Sequence, residues 1–304
     1  MDSTIAKNEK IDESNGIYKD ILVAFSLIIG SLASILAAYI IVLISRKPKP
    51  LHMDTVLSLV IIVLGFIGSL SQIARAIMMK WPFNQFIYYD SACSVEYMTS
   101  SLFNLICVYP IALLSIERML LILFKISLSK KVWLFLLIFF MTLHFTFQLT
   151  ASIQRKFLFS PISMGCISNP HSSLSFVTRY LAISYITCFF IVTINYVCIM
   201  IFQFRRGIIT EHELQLDHNI IKKQNYKLLF RASLIVTVFV VSYVGKVSVW
   251  CYQWATGLDR PWNLDYIANL LFLLHNFSNC LLVLYLDQKS SVIIVNKLKK
   301  LVKK

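Results

Sequence analysis

Residues 93–118 read CSVEYMTSSLFNLICVYPIALLSIER. Between the thiol of Cys93 and the Glu117-Arg118 pair, one carboxylate, Glu96, is the only charge in an otherwise uncharged run. At a rise of about 1.5 Å per residue, the interval from Cys93 to Arg118 covers about 37 Å of helix. That is enough to cross a bilayer at a tilt. One helix thus offers a cysteine at one membrane face and an acid–base pair at the other.

The rest of the 304-residue chain repeats this character. It is 58% hydrophobic and only 14% charged, more apolar surface than a soluble domain can hide. The charges gather into short clusters, separated by apolar segments at roughly 21–45, 55–79, 92–124, 132–152, 175–204, 231–256 and 264–286. Each is ~20 residues or longer, the length of a membrane span. The expected fold is an all-α membrane protein, a seven-transmembrane helix bundle. Residues 1–20 are polar, lack the apolar core of a signal peptide and form an extracellular N-terminus. The bundle occupies 21–286, and 287–304 form a cytoplasmic tail.

Basic residues set the orientation. With the N-terminus outside, 18 of the 29 lysines and arginines fall on inner loops and tail, seven fall outside and four lie within spans. This bias puts the N-terminus outside and the C-terminus in the cytoplasm. The net charge of +14 fits attraction to an anionic inner leaflet, and no basic stretch has the interleaved aromatics of a nucleic-acid surface. In the tail, Ile294, Val295, Leu298, Leu301 and Val302 share one helical face opposite a row of lysines. This is an amphipathic helix suited to lie on membrane lipids, the alternative being a frayed charged tail.

Two of the seven cysteines, Cys93 and Cys166, fall on the oxidising face, where a disulfide would pin the loop at 153–174 to the third helix. The alternative is two free thiols. Arg75, Glu96 and Lys246 are ionisable groups within or near the outer halves of spans, each costly in hydrocarbon without a partner or a wet cavity. Lys246 sits ~15 Å deep, too far for its side chain to reach water easily.

Taken together, Cys93, Glu117-Arg118 and Cys166 resemble the third helix and outer loop of rhodopsin-like (class A, family 1) G-protein-coupled receptors. Met119 stands where that family usually has Tyr. Phe239, Ser242, Tyr243 and Gly245 share the spacing of the family's aromatic switch in the sixth helix, with Gly245 in place of the Pro that lets the helix pivot. Asn279 stands at the family's Asn-Pro-x-x-Tyr position without its Pro, and Tyr285 lies two residues beyond the expected Tyr. Other family features are missing. Gly65 and Ala37 stand where Asp and Asn are expected, Trp133 is the only Trp of the fourth span, and the fifth span has no Pro. A sodium-binding polar cluster is accordingly not expected.

The resemblance implies a plasma-membrane receptor that binds an extracellular ligand and activates a heterotrimeric G protein. Glu117 would restrain Arg118 until the sixth helix moves outward, with Phe239, Tyr243, Asn279 and Tyr285 in the switch. The ligand cavity would hold Arg75, Glu96, Tyr243, Lys246 and Trp250, with one positive charge in excess. It would suit an apolar body carrying an acidic or strongly polar group. Glu96 could instead pair with Arg75, leaving Lys246 to a backbone carbonyl or water. No nucleotide-binding, hydrolase or metal-ligand motif suggests an enzyme or a cofactor, and the seventh span has no Lys for a retinal Schiff base. The rival functions are a small-solute transporter or channel using Arg75, Glu96 and Lys246, and a receptor-like membrane protein that no longer signals.

Overall fold

Seven long helices dominate the computed structural model, which describes residues 2–46, 48, 51–154, 157–168, 175–214 and 218–286. They are α1 (Asp2–Ser45), α2 (Met53–Lys80), α3 (Asp90–Phe124), α4 (Lys130–Gln154), α5 (Ser175–Leu214), α6 (His218–Thr256) and α7. The last is built from Trp262–Leu273 and His275–Leu286. Among the described residues, six helices are long and apolar enough to cross a membrane: α1 to α5 and α7. The expected tail helix at 287–304 and the Tyr285 side chain lie outside the described residues.

The helices pack as α1 on α2, α2 on α3 and α7, α3 on α5, α5 on α6, and α6 on α7. α4 sits at the edge and buries only a narrow stripe that includes Trp133, Leu137, His144 and Gln148. Its other faces expose Phe135, Ile138, Phe139 and Leu149, as a helix facing lipid would.

α3 departs from the uninterrupted helix that the sequence suggests. A π-helical turn spans Tyr97–Ser101, directly after Glu96, and the helix breaks at Cys107. Pro110 explains the break, because it has no N–H for the carbonyl of Ile106 and its ring crowds that group.

Two elements close one end of the bundle. β1 (Phe157–Phe159) pairs antiparallel with β2 (Cys166–Ser168), so the 153–174 loop holds a hairpin. The expected disulfide is present: Cys93 and Cys166 are bonded with Cα atoms 5.3 Å apart, which ties β2 to the start of α3. The second element is the N-terminal part of α1. Its polar residues are helical, and the chain bends at Gly16 before the apolar part begins. Asn15 locks it to the hairpin, donating to the Pro161 carbonyl at 2.9 Å and to Ser163 Oγ at 3.0 Å. The Trp262 indole N–H donates to Asn15 Oδ1 at 2.6 Å. Further contacts run from Asn84 to Asp12 and from Tyr88 to Glu9.

Asn15 is 3% exposed, so Asn15→Ala leaves the Trp262 donor without its partner. The expected cost is about 1–3 kcal/mol of local stability. Backbone amide exchange across 157–168 should quicken by roughly tenfold for each 1.4 kcal/mol lost. Unchanged exchange would show that the hairpin is held without Asn15.

Candidate functional site

Beneath the hairpin lies a cavity of about 110 Å³. Its walls come from α2, α3, α5, α6, α7, the α6–α7 connection and the hairpin loop, and its distinguishing feature is five charged side chains: Arg75, Glu96, Lys246, Arg260 and Asp265.

Each carboxylate in this wall is already paired. Glu96 is 6% exposed, and its Oε1 lies 3.4 Å from Nη1 of Arg75. Its Oε2 accepts the backbone N–H of Cys166 at 3.4 Å. The loop reaches that carboxylate only because residue 165 is glycine. Gly165 has φ +128°, and a Cβ there would stand 3.2 Å from Glu96 Oε2. Asp265 is 0% exposed. Its Oδ1 lies 3.6 Å from Nη1 of Arg260 and accepts from Asn269 Nδ2 at 3.1 Å, while Oδ2 accepts from Ser160 Oγ at 3.4 Å. Asp265 also stands in the first turn of α7, where the helix dipole favours an acid.

Lys246 is partnered differently. Its Nζ donates to Asn269 Oδ1 at 2.7 Å and stands 5.3 Å from the centre of the Phe272 ring. Among the described residues it forms no ion pair. Of the two arrangements open from sequence, Glu96 does pair with Arg75, while Lys246 takes a side-chain amide in place of a backbone carbonyl or water.

Trp250 and Phe272 form the aromatic floor. Tyr243 is not in the cavity wall, contrary to expectation. It lies below that floor, fully buried, 5.6 Å from the Tyr185 ring and 6.2 Å from the Phe272 ring. From Tyr243 the stack continues to Phe239 at 4.6 Å, and Asn279 Nδ2 donates to the Tyr243 hydroxyl at 3.4 Å. Expected switch residues Phe239, Tyr243 and Asn279 are therefore in mutual contact or one step apart.

The middle of the bundle is more polar than the sequence suggests. Asn276 Nδ2 donates to Asn104 Oδ1 at 2.8 Å, and Asn276 Oδ1 lies 3.6 Å from where a Cβ on Gly65 would stand.

At the opposite end, Arg118 does not pair with its neighbour as expected. Nη2 of Arg118 lies 3.7 Å from Oδ2 of Asp54, in the first turn of α2, and Oε2 of Glu117 has no hydrogen-bond partner among the described residues. Successive residues on a helix point about 100° apart, so Glu117 and Arg118 turn toward different neighbours.

Outside the hairpin lies a second cavity of about 470 Å³, between the N-terminal part of α1, Phe86, Tyr88 and β1. Ile167 and Arg260 line both spaces, one from each side.

Asp265, Arg260 and Asn269 carry no motif, and none is singled out by the sequence. One signal does point to Asp265: an acid inside an apolar span is expensive unless it is paired. With Arg260 and Asp265 included, three cations face two carboxylates, so the cavity retains one positive charge in excess. No protein-family model and no curated protein matches the chain.

Proposed function

We propose that the chain is a divergent rhodopsin-like receptor in the plasma membrane, with α6 as the seventh crossing, the N-terminus outside and the C-terminus in the cytoplasm. The observation that carries this reading is the pairing of two ends. A charge-lined cavity lies at the disulfide end, and a run of ring contacts leads from its floor through Tyr243 to Phe239, toward the end that holds Arg118. A ligand that shifts Trp250 or Phe272 would press on Tyr243 and, through Phe239 and Asn279, bias the position of α6. Such a ligand acts by binding one arrangement of the helices better than another. Outward movement of α6 would open a cleft in which Arg118 contacts a heterotrimeric G protein.

Asp54 replaces Glu117 as the restraint on Arg118 in this mechanism. The pair is partly exposed, at 18% and 42%, so it contributes no more than about 1 kcal/mol. Asp54→Asn should therefore raise basal nucleotide exchange in a reconstituted G protein by about two- to fivefold. Glu117→Gln should change it less, and Arg118→Ala should abolish the gain in the Asp54→Asn background. If Asp54→Asn and Arg118→Ala both leave exchange at the level of protein-free membranes, the receptor reading fails.

A further inference from the structure

We infer that the inner cavity binds a small monoanion, of the class of short-chain carboxylates, with its charge held against Lys246. This rests on reading the cavity as a ligand site and adds which chemistry the site accepts.

The pairing of charges selects the sign. Arg75 and Arg260 each have a carboxylate, whereas Lys246 has only the neutral oxygen of Asn269 and the face of Phe272. An amide oxygen and an aromatic face stabilise an ammonium without neutralising it. Lys246 cannot escape along the lipid, because Asn269 holds its tip inside the wall. A second donor faces the same need: Nε of Arg75 is buried and, among the described residues, has no hydrogen-bond partner. A carboxylate in the cavity would supply acceptors to both groups and remove the excess charge.

The same pairing disfavours a zwitterion. A ligand ammonium needs an open acceptor, and the four oxygens of Glu96 and Asp265 already face Arg75, the Cys166 N–H, Asn269, Arg260 and Ser160. An amino acid would bring a cation that has to share a carboxylate oxygen with a group already bound, next to three cations already present.

Size narrows the class further. At about 110 Å³ the space is well below the ~300 Å³ at which drug-sized pockets begin. Acetate, propionate and butyrate fit this scale, with the carboxylate at Lys246 and the short alkyl chain against Trp250 and Phe272. A long apolar body, as the sequence suggests, does not fit beneath the hairpin.

The test is direct binding of sodium propionate to the purified protein in detergent, by calorimetry and by thermal shift. Propionamide serves as the neutral isostere and alanine as the zwitterion. Propionate should bind at least tenfold more tightly than either. Lys246→Met should abolish the preference, and Lys246→Arg should retain it. Both variants are checked for an unaltered melting temperature without ligand, and Asn269→Leu offers a second way to misplace the ammonium if Lys246→Met does not fold. Equal binding of propionamide, equal or tighter binding of alanine, or no binding of any C2–C4 carboxylate across the millimolar range overturns the inference. Nucleotide exchange is measured separately. Propionate binding without exchange leaves the anion site intact and refutes signalling, whereas exchange driven by a neutral or cationic compound keeps the receptor and refutes the anion.

Discussion

Cys93→Ser is expected to lower stability by roughly 4 kcal/mol. The bond closes a loop of sequence separation 73, and loop-closure entropy scales slowly with that length. The loss is not spread evenly. Cys166 begins β2, its backbone N–H is held by Glu96, and Gly165 lies against the same carboxylate. Freeing β2 from α3 therefore releases the roof of the inner cavity first. Melting of the purified protein should fall to the same extent in Cys93→Ser, in Cys166→Ser and in the double variant, because each removes the same bond. Additive losses would mean that the two thiols stabilise the fold separately. An unchanged melting temperature in all three would remove the disulfide from the account of the roof.

Such an end of the bundle shows what a sequence can and cannot make visible. The membrane-facing helices announce themselves, since lipid contact demands ~20 apolar residues in a row. The expected edges match both ends of α2, α3, α4 and α7 within two residues, whereas α1 starts 19 residues earlier than its apolar run, α5 ends 10 later and α6 starts 13 earlier, because polar residues continue these helices beyond the apolar stretch. Cys93 and Cys166 are equally legible because only one membrane face permits their bond. The N-terminal part of α1 is not. Its helix draws on tertiary partners such as Pro161, Ser163 and Trp262, which lie 146 to 247 residues away in the chain. The cavity divides in the same manner. Arg75, Glu96 and Lys246 stand out as charges in apolar runs, whereas Asn269 is an ordinary amide until α6 and α7 are packed together. The Arg118 end is subtler still. Glu117 is adjacent in sequence and Asp54 adjacent in space, and helix geometry favours the second.

A large effect of a single added methyl group is expected at Gly245, whose place in the sixth helix suggests a pivot. The structure gives it another reason to be glycine. A Cβ at this position would stand 2.7 Å from Cα of Ala268 and 3.1 Å from its Cβ. Carbon atoms in contact settle at about 3.5–4.0 Å, so α6 and α7 would have to separate by roughly 1 Å. The obstacle is backbone, and no change of rotamer relieves it. Small residues at helix crossings commonly permit this kind of approach in membranes. Gly245→Ala should therefore cost about 1–3 kcal/mol and lower the melting temperature accordingly. Ala268→Gly should not rescue it, because the nearest atom is the Cα that glycine keeps. Function should fall with stability, since Lys246 and Asn269 are the next residues on the two helices. Separation of ~1 Å would stretch their 2.7 Å hydrogen bond beyond useful range. Propionate binding should then weaken at temperatures where Gly245→Ala is still folded. A variant that melts like the parent, or one restored by Ala268→Gly, would mean that the two helices are not in backbone contact at this crossing, and that the pivot is the better account of Gly245.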